Sequence, residues 1–336
     1  MARYGTLLGL LLLVARPLPA QEAHFHMFTD VVGQTGRTGS PASFGLGQFD
    51  AFITANFPQK LSFLSETVIE GDSREFAVDI ERLMVTYTHA PSLQISVGKL
   101  HTPIGRWSTS YHHGTVLQPT IDRPLLYRFE DDGGVLPIHT VGLAISGHEI
   151  GPLRLGYDLV IGNGIGSNHQ ADNNRSKSVT LAGYSQMTSS LRIGGSWYQD
   201  HLTAGTRRPT GDTLGIDLDL RLFGGYGHYS RGPVEVLVEY QRATSRELPD
   251  GPRHSSNLWT GYAGFTVGRW TPYLRLDGLE LDRTERYFPN EKRRLDVVGA
   301  RVDLTSSAVA KLEWQSERLG FGKRTSWLVG QIAIGF

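Results

Sequence analysis

The stretch Leu214-Gly215-Ile216-Asp217-Leu218-Asp219-Leu220-Arg221-Leu222 places an apolar side chain at every second position. A period of two is the signature of a β-strand with two unlike faces. It sets the five apolar residues on one side and Asp217, Asp219 and Arg221 on the other. A helix would rotate those charges onto its own apolar face. The same dyad recurs at Leu153 to Leu159, Leu191 to Ile193, Val234 to Tyr240 and Ala310 to Gln315. About sixteen such segments can be placed along the chain, at roughly 24–31, 45–57, 60–70, 76–89, 92–100, 138–147, 152–162, 178–188, 190–200, 213–228, 232–244, 256–268, 271–282, 293–304, 308–317 and 326–336. Each is close to the roughly 9–11 residues a tilted strand needs to cross a bilayer.

The connections narrow the choice further. Every second one is tight, as at Pro58-Gln59, Ala90-Pro91, Thr188-Ser189 and Ser306-Ser307, whereas those between are mostly long and polar, as at 163–177, 201–212 and 283–292. A β-sandwich has no reason to keep that alternation; a barrel spanning a membrane does, with short turns on the periplasmic side and long loops outside. The first twenty residues read as a signal peptide, with Arg3 in a short basic lead, an apolar run from Leu7 to Val14 and a small residue at Ala20. Residues 21–336 then form one unit: an all-β, transmembrane antiparallel β-barrel of about sixteen strands in the bacterial outer membrane, contacting lipid along its outer face. The mean hydropathy of −0.23 fits such a barrel, because only alternate residues meet lipid. Phe336 ends a strand whose Leu328, Gly330, Ile332 and Ile334 share its face, a pattern that resembles the signal bacterial barrel-assembly machinery recognises. Aromatics near strand ends, including Trp197, Trp259, Trp270, Trp314 and Trp327, suit interfacial girdles.

Several function classes are disfavoured. The chain holds no cysteine, so disulfides and thiolate metal sites are excluded. Without the leader it carries 31 basic against 33 acidic residues, which gives no basic surface for nucleic acid. No Gly-x-Ser-x-Gly elbow marks a nucleophile, so no catalytic residue is assigned and no cofactor is expected. The longest loop, at about 101–137, opens with His101, Pro103, Gly105 and Arg106, and long structured loops in compact barrels are usually functional. In general porins the third loop folds inward and narrows the pore. By that resemblance Arg106, Arg123 and Arg128 would face Glu130, Asp131 and Asp132 across a constriction. An external cap with solvated charges is the equal alternative. His112 and His113 are the metal candidates, weakened by adjacent positions that diverge on an extended backbone. On the strands, Lys99, Arg154, Asp158, Arg192, Asp217, Asp219 and Arg221 are expected to line the lumen, as are Asp200, Glu235, Glu239, Arg275, Asp277, Arg301, Asp303, Lys311 and Glu313.

Asp79-Ile80-Glu81-Arg82 leading to Tyr87, followed by Gly98-Lys99 and Pro103-x-Gly105, resembles a strand pair of the phosphate-selective porin family. The resemblance covers about a tenth of the chain. It implies a sixteen-stranded channel, often a homotrimer, that passes small anions. The sequence departs where phosphate selectivity resides, because the expected lumen arginines alternate with acids and lysine is scarce. The expected function is therefore passive diffusion of small hydrophilic solutes or ions. A structural or ligand-binding barrel closed by its long loop is the alternative, with a barrel enzyme behind it.

Overall fold

The computed structural model describes residues 22–36, 41–72, 75–111, 114–128, 134–168, 170–289 and 292–336. The signal-peptide expectation at 1–20 lies outside them. Sixteen strands run in chain order: β1 Ala23–Gln34, β2 Ser43–Phe57, β3 Leu61–Asp72, β4 Glu75–Ala90, β5 Leu93–His101, β6 His139–Ile150, β7 Leu155–Gly162 and β8 Ser178–Gln186. They continue as β9 Leu191–Leu202, β10 Leu218–Arg231, β11 Val234–Glu247, β12 Arg253–Phe265, β13 Trp270–Glu280, β14 Arg293–Asp303, β15 Ala308–Leu319 and β16 Arg324–Gly335. Each pairs antiparallel with its sequence neighbours, and β1 pairs with β16 to close the barrel. Closure leaves no unpaired edge, which hydrocarbon would not tolerate. Beyond the last strand, Phe336 still exchanges backbone hydrogen bonds with Met27, at 2.7 and 2.9 Å.

The strands follow the dyad pattern closely. The principal boundary difference is β10, which starts at Leu218, so that 213–217 belong to the preceding loop. Turns between β2 and β3, β4 and β5, and β6 and β7 are short; Gln59 and Lys60 adopt positive φ in the first of these and Glu149 and Arg154 in the last. Within β5, Gly98 sits at φ 138°, and a Cβ there would lie 2.0 Å from the Leu83 carbonyl oxygen. Only glycine allows β4 and β5 to approach so closely.

The outer wall is apolar, with Phe76, Val78, Val97, Phe223, Val238, Val298, Leu312 and Ile332 exposed. Trp270, at the periplasmic start of β13, is exposed as expected of a girdle residue; Trp314 is exposed too, but it pairs with Val298 at mid-strand, away from either interface. Trp327 differs: it is only 5% exposed and points inward, packed in the principal apolar core. That core is inside the barrel, where an open channel would hold water. Since Val298 lies at the middle of β14 on the outer face, Val298→Arg is expected to destabilise the folded barrel by roughly 2–4 kcal/mol in lipid. Urea titration in vesicles checks this, and an unchanged midpoint would contradict the assignment of that face.

Candidate functional site

The segment between β5 and β6 folds into the barrel rather than capping it. Its base is held by the Thr102 amide donating to the Ile138 carbonyl at 2.9 Å. The chain then turns through Gly105 at φ 75°, where a Cβ would meet the Tyr127 hydroxyl at 1.7 Å and a Glu239 carboxylate oxygen at 2.3 Å. A short helix, α1 (Arg106–Ser110), follows. Its first amides have no partner within the helix. Glu239 of β11, fully buried, accepts both: the Arg106 N–H at 3.0 Å and the Trp107 N–H at 2.6 Å. The Tyr127 hydroxyl donates to the same carboxylate.

Other wall charges hold the loop in the same manner. Glu313 accepts the Ile121 N–H at 2.7 Å, Asp277 accepts the Leu125 N–H at 3.2 Å, and Glu235 accepts the Tyr111 hydroxyl at 2.5 Å. Lys311 donates to the Thr115 and Thr120 carbonyls at 2.7 and 3.1 Å, and Arg301 to Val116 at 2.8 Å. Arg275 donates to the Thr120 hydroxyl and the Asp122 carbonyl. Between these bonds, Ile104, Trp107, Leu125, Leu126, Leu136 and Ile138 bury against Leu218, Leu220, Leu222, Leu258, Leu295 and Val297. At roughly 1.5–3 kcal/mol per fully buried large apolar side chain, this packing fixes the loop firmly against the β10–β16 wall.

The opposite side of the lumen keeps open, polar space. On the periplasmic side of the loop, a cavity of about 400 Å³ is lined by Arg82, Arg106, Asp158, Tyr184, Arg192 and Tyr226, and also by His101 and Pro103. Arg192 lies over the Tyr184 ring at 4.4 Å and donates to Gln186 at 2.9 Å. Burial, then the nearby Arg192, lowers the Arg106 pKa from the usual guanidinium value, yet guanidinium remains charged at neutral pH. Among the described residues neither arginine forms an ion pair, whereas Arg82 is matched by Glu66 at 3.0 Å. Towards the long loops, a space of about 530 Å³ is lined by Glu70, Asp79, Glu81, Lys99, His139, Arg207 and Arg208. Within it His139 meets Glu81 at 2.9 Å and Lys99 meets Asp79 at 3.4 Å. A third cavity, of about 430 Å³, is bounded by Asp30, Gln48, Asp122, Arg123, Arg128 and Gln331. Burial, then Arg293 nearby, likewise lowers the Arg128 pKa.

Lys99, Arg106, Arg123, Arg128, Asp158 and Arg192 line these lumen cavities. Glu130, Asp131, Asp132, His112 and His113 lie outside the described residues, and with them the expected acidic half of a constriction. Among the described residues no three His, Asp or Glu side chains converge as metal ligands. Four expected lumen residues are elsewhere. Arg154 sits exposed in the β6–β7 turn, paired with Glu149 at 2.5 Å, because β7 begins only at Leu155. Asp217 is in a loop and accepts the Ala204 N–H at 2.8 Å. Asp219 and Arg221 face outward, because Leu218, Leu220 and Leu222 turn inward onto the loop. The strand was right and its faces were reversed.

Glu239, Arg275, Asp277, Lys311 and Glu313 point inward as expected, but they bind loop backbone instead of lining open lumen. Arg82, Glu66, Tyr184 and Tyr226 were not singled out as site residues. A register shift at Glu66/Thr67 interrupts the period there, and tyrosine at an inward position carries no charge signal. Removing the central pin is the direct test of the loop's attachment. In Glu239→Ala, amide exchange over 102–111 is expected to accelerate roughly tenfold or more, the loss of a bond to a charged acceptor. Mass-detected hydrogen exchange reads this, with strand amides of β14–β16 as the internal reference.

No family model matches the chain, and no curated protein does. Solved structures match along nearly the whole length. OmpT of Vibrio cholerae in its trimer form superposes with a TM-score of 0.67 at 11% identity, covering 95% of this chain and 100% of that one. The anion-selective porin of Comamonas acidovorans gives 0.67 at 12%, covering 94% and 100%. OmpF of Salmonella typhi, solved with daunomycin, gives 0.67 at 10%, covering 94% and 98%. At these identities the likeness is one of fold: this chain is an outer-membrane protein with the closed sixteen-stranded barrel of bacterial porins.

Proposed function

We propose that the chain is a passive channel for small hydrophilic solutes, conducting through the side of the lumen that the inward loop leaves open. The observation that carries this reading is the one-sided docking of the loop. Its apolar residues and backbone are satisfied chiefly by β10–β16, with Phe28 of β1 and Tyr198 and Leu202 of β9 at the margins of the packed region, while the side facing β4–β9 retains polar cavities lined by charged groups. A loop that merely plugged the barrel would be expected to pack against the whole wall. We assign the narrow region to Arg106, Arg192 and Asp158 on the periplasmic side and to Lys99, Arg123 and Arg128 towards the outside. No catalytic step is part of this reading.

The periplasmic-side cavity sets Arg106 and Arg192 against the single carboxylate Asp158, once Arg82 is counted with Glu66. We therefore propose a weak preference for anions, without specificity for phosphate. Assembly as a homotrimer, as in the trimer form of OmpT, and use of the exposed Phe336 by barrel-assembly machinery belong to the same proposal.

Planar-bilayer recording tests it. Stepwise conductance with a reversal potential on the anion-selective side is expected. Arg106→Gln and Arg192→Gln should each lower the anion-to-cation permeability ratio, on the order of two- to fivefold, as a charge close to a passing ion is removed. Absence of conductance steps in any salt would favour a barrel closed by its loop.

A further inference from the structure

The cavity of about 430 Å³ in the outer half of the lumen is enclosed by β1, β2 and β16 on one side and by the inward loop on the other. Its lining is rich in amides: Gln34, Gln48, Gln118 and Gln331 all border it. Its charges balance, with Arg123 and Arg128 matched in number by Asp30 and Asp122. Both carboxylates are already engaged. Asp30 accepts the Gln48 backbone N–H at 3.1 Å and the Gln331 Nε2 amide at 2.8 Å. Asp122 accepts the Gln315 Nε2 amide at 2.9 Å. Beside these polar groups, Trp327, Val32 and Val329 give the same cavity an apolar side.

A free ion gains little from such a lining, because the cavity presents no net charge for it to neutralise. An amide carries a donor and an acceptor side by side, and a guanidinium carries its donors in a fork. Vicinal hydroxyls match both, since each can donate and accept. Gln331 makes the demand specific. It is 4% exposed, and donation to Asp30 fixes which end of its amide is the nitrogen. Its Oε1 is left without a hydrogen-bond partner among the described residues. A buried acceptor in that state is costly, and a ligand hydroxyl is the donor it lacks. Trp327 supplies the complementary surface. A pyranose ring has hydroxyls around its edge and C–H groups on its face, for which an indole is a flat apolar platform. An apolar wall with a few placed polar groups is the usual form of a small-molecule site, and this cavity lies within the usual size range of roughly 300–1,000 Å³.

We propose that this cavity is a binding subsite for a neutral pyranose sugar, a mono- or disaccharide, on its way through the lumen. The ring packs on Trp327, while its hydroxyls bond to Gln331, Gln118 and the guanidinium groups of Arg123 and Arg128. Entry and exit of the sugar rest on the channel reading above.

Binding is measured by ligand-observed NMR titration of the purified, folded protein in an amine-oxide detergent, which has no sugar headgroup to compete. The probes are maltose, D-glucose, the acyclic polyol sorbitol and inorganic phosphate. Maltose and glucose are expected to bind on the order of 1–10 mM, weakly enough to release a passing solute. Sorbitol, which has hydroxyls but no ring face, and phosphate should bind at least about fivefold more weakly. Trp327→Leu and Gln331→Leu should each weaken maltose binding, on the order of five- to tenfold. Heat-modified gel mobility verifies that each variant is folded, and Gln34→Ala, at an exposed position, serves with a roughly two- to threefold loss if either is not. In planar bilayers, maltose should reduce the ion current saturably. Conductance without sugar binding would overturn the subsite and leave the channel reading standing, whereas sugar binding without conductance steps would support the subsite and overturn the channel. Equal binding of sorbitol, tighter binding of phosphate, or wild-type affinity in the folded variants would each overturn the proposal.

Discussion

The Glu239 carboxylate is the contact on which the interior depends. It stands on β11 with no exposed surface, and burying a lone carboxylate is costly unless several donors satisfy it. Two backbone amides of α1 and the Tyr127 hydroxyl supply those donors. The bond set is reciprocal, because the amides at the start of a helix need an acceptor as much as the carboxylate needs donors. Gly105 is required beside it, since any side chain there would occupy the space of Tyr127 and Glu239. One buried charge thus determines where a loop of more than thirty residues enters the lumen, and which wall it leaves uncovered.

The rest of the interior follows from the wall to which the loop is tied. Acids on β11, β13 and β15 accept loop amides, and Lys311, Arg301 and Arg275 donate to loop carbonyls. Once the backbone is satisfied, Trp107, Leu125 and Leu126 need apolar partners, and Leu218, Leu220 and Leu222 provide them. A barrel with water throughout its lumen would have turned those leucines to lipid. Here the loop makes part of the lumen as dry as a soluble core, so β10 turns its apolar face inward and carries Asp219 and Arg221 outside.

Much of the barrel is legible in the sequence. The sixteen strands, the alternation of short and long connections and the location of the long loop all follow from local residue patterns. The lumen placement of Asp158 and Arg192 was legible as well, because each lies where the period is unbroken; Lys99 shares the parity of the outward Ile95 and Val97 and reaches the lumen past the break at Gly98. Arg82 and Glu66 were obscured by a bulge, and Arg154 by a turn that starts later than the hydrophobic pattern suggests. The anchoring role of Glu239 left no local trace, since its partners Arg106, Trp107 and Tyr127 are more than a hundred residues away.

By itself the sequence determined that the chain alternates, how often, and therefore that it closes into a membrane barrel. Alternation is a property of neighbouring residues and needs nothing distant to define it. Which face of a strand is the inner one was decided only by tertiary structure. In β10 the two faces differ in polarity, but their direction depends on whether water or a docked loop lies inside. That was set by contacts from Glu239, Asp277 and Glu313 across the lumen, and no local pattern encodes them.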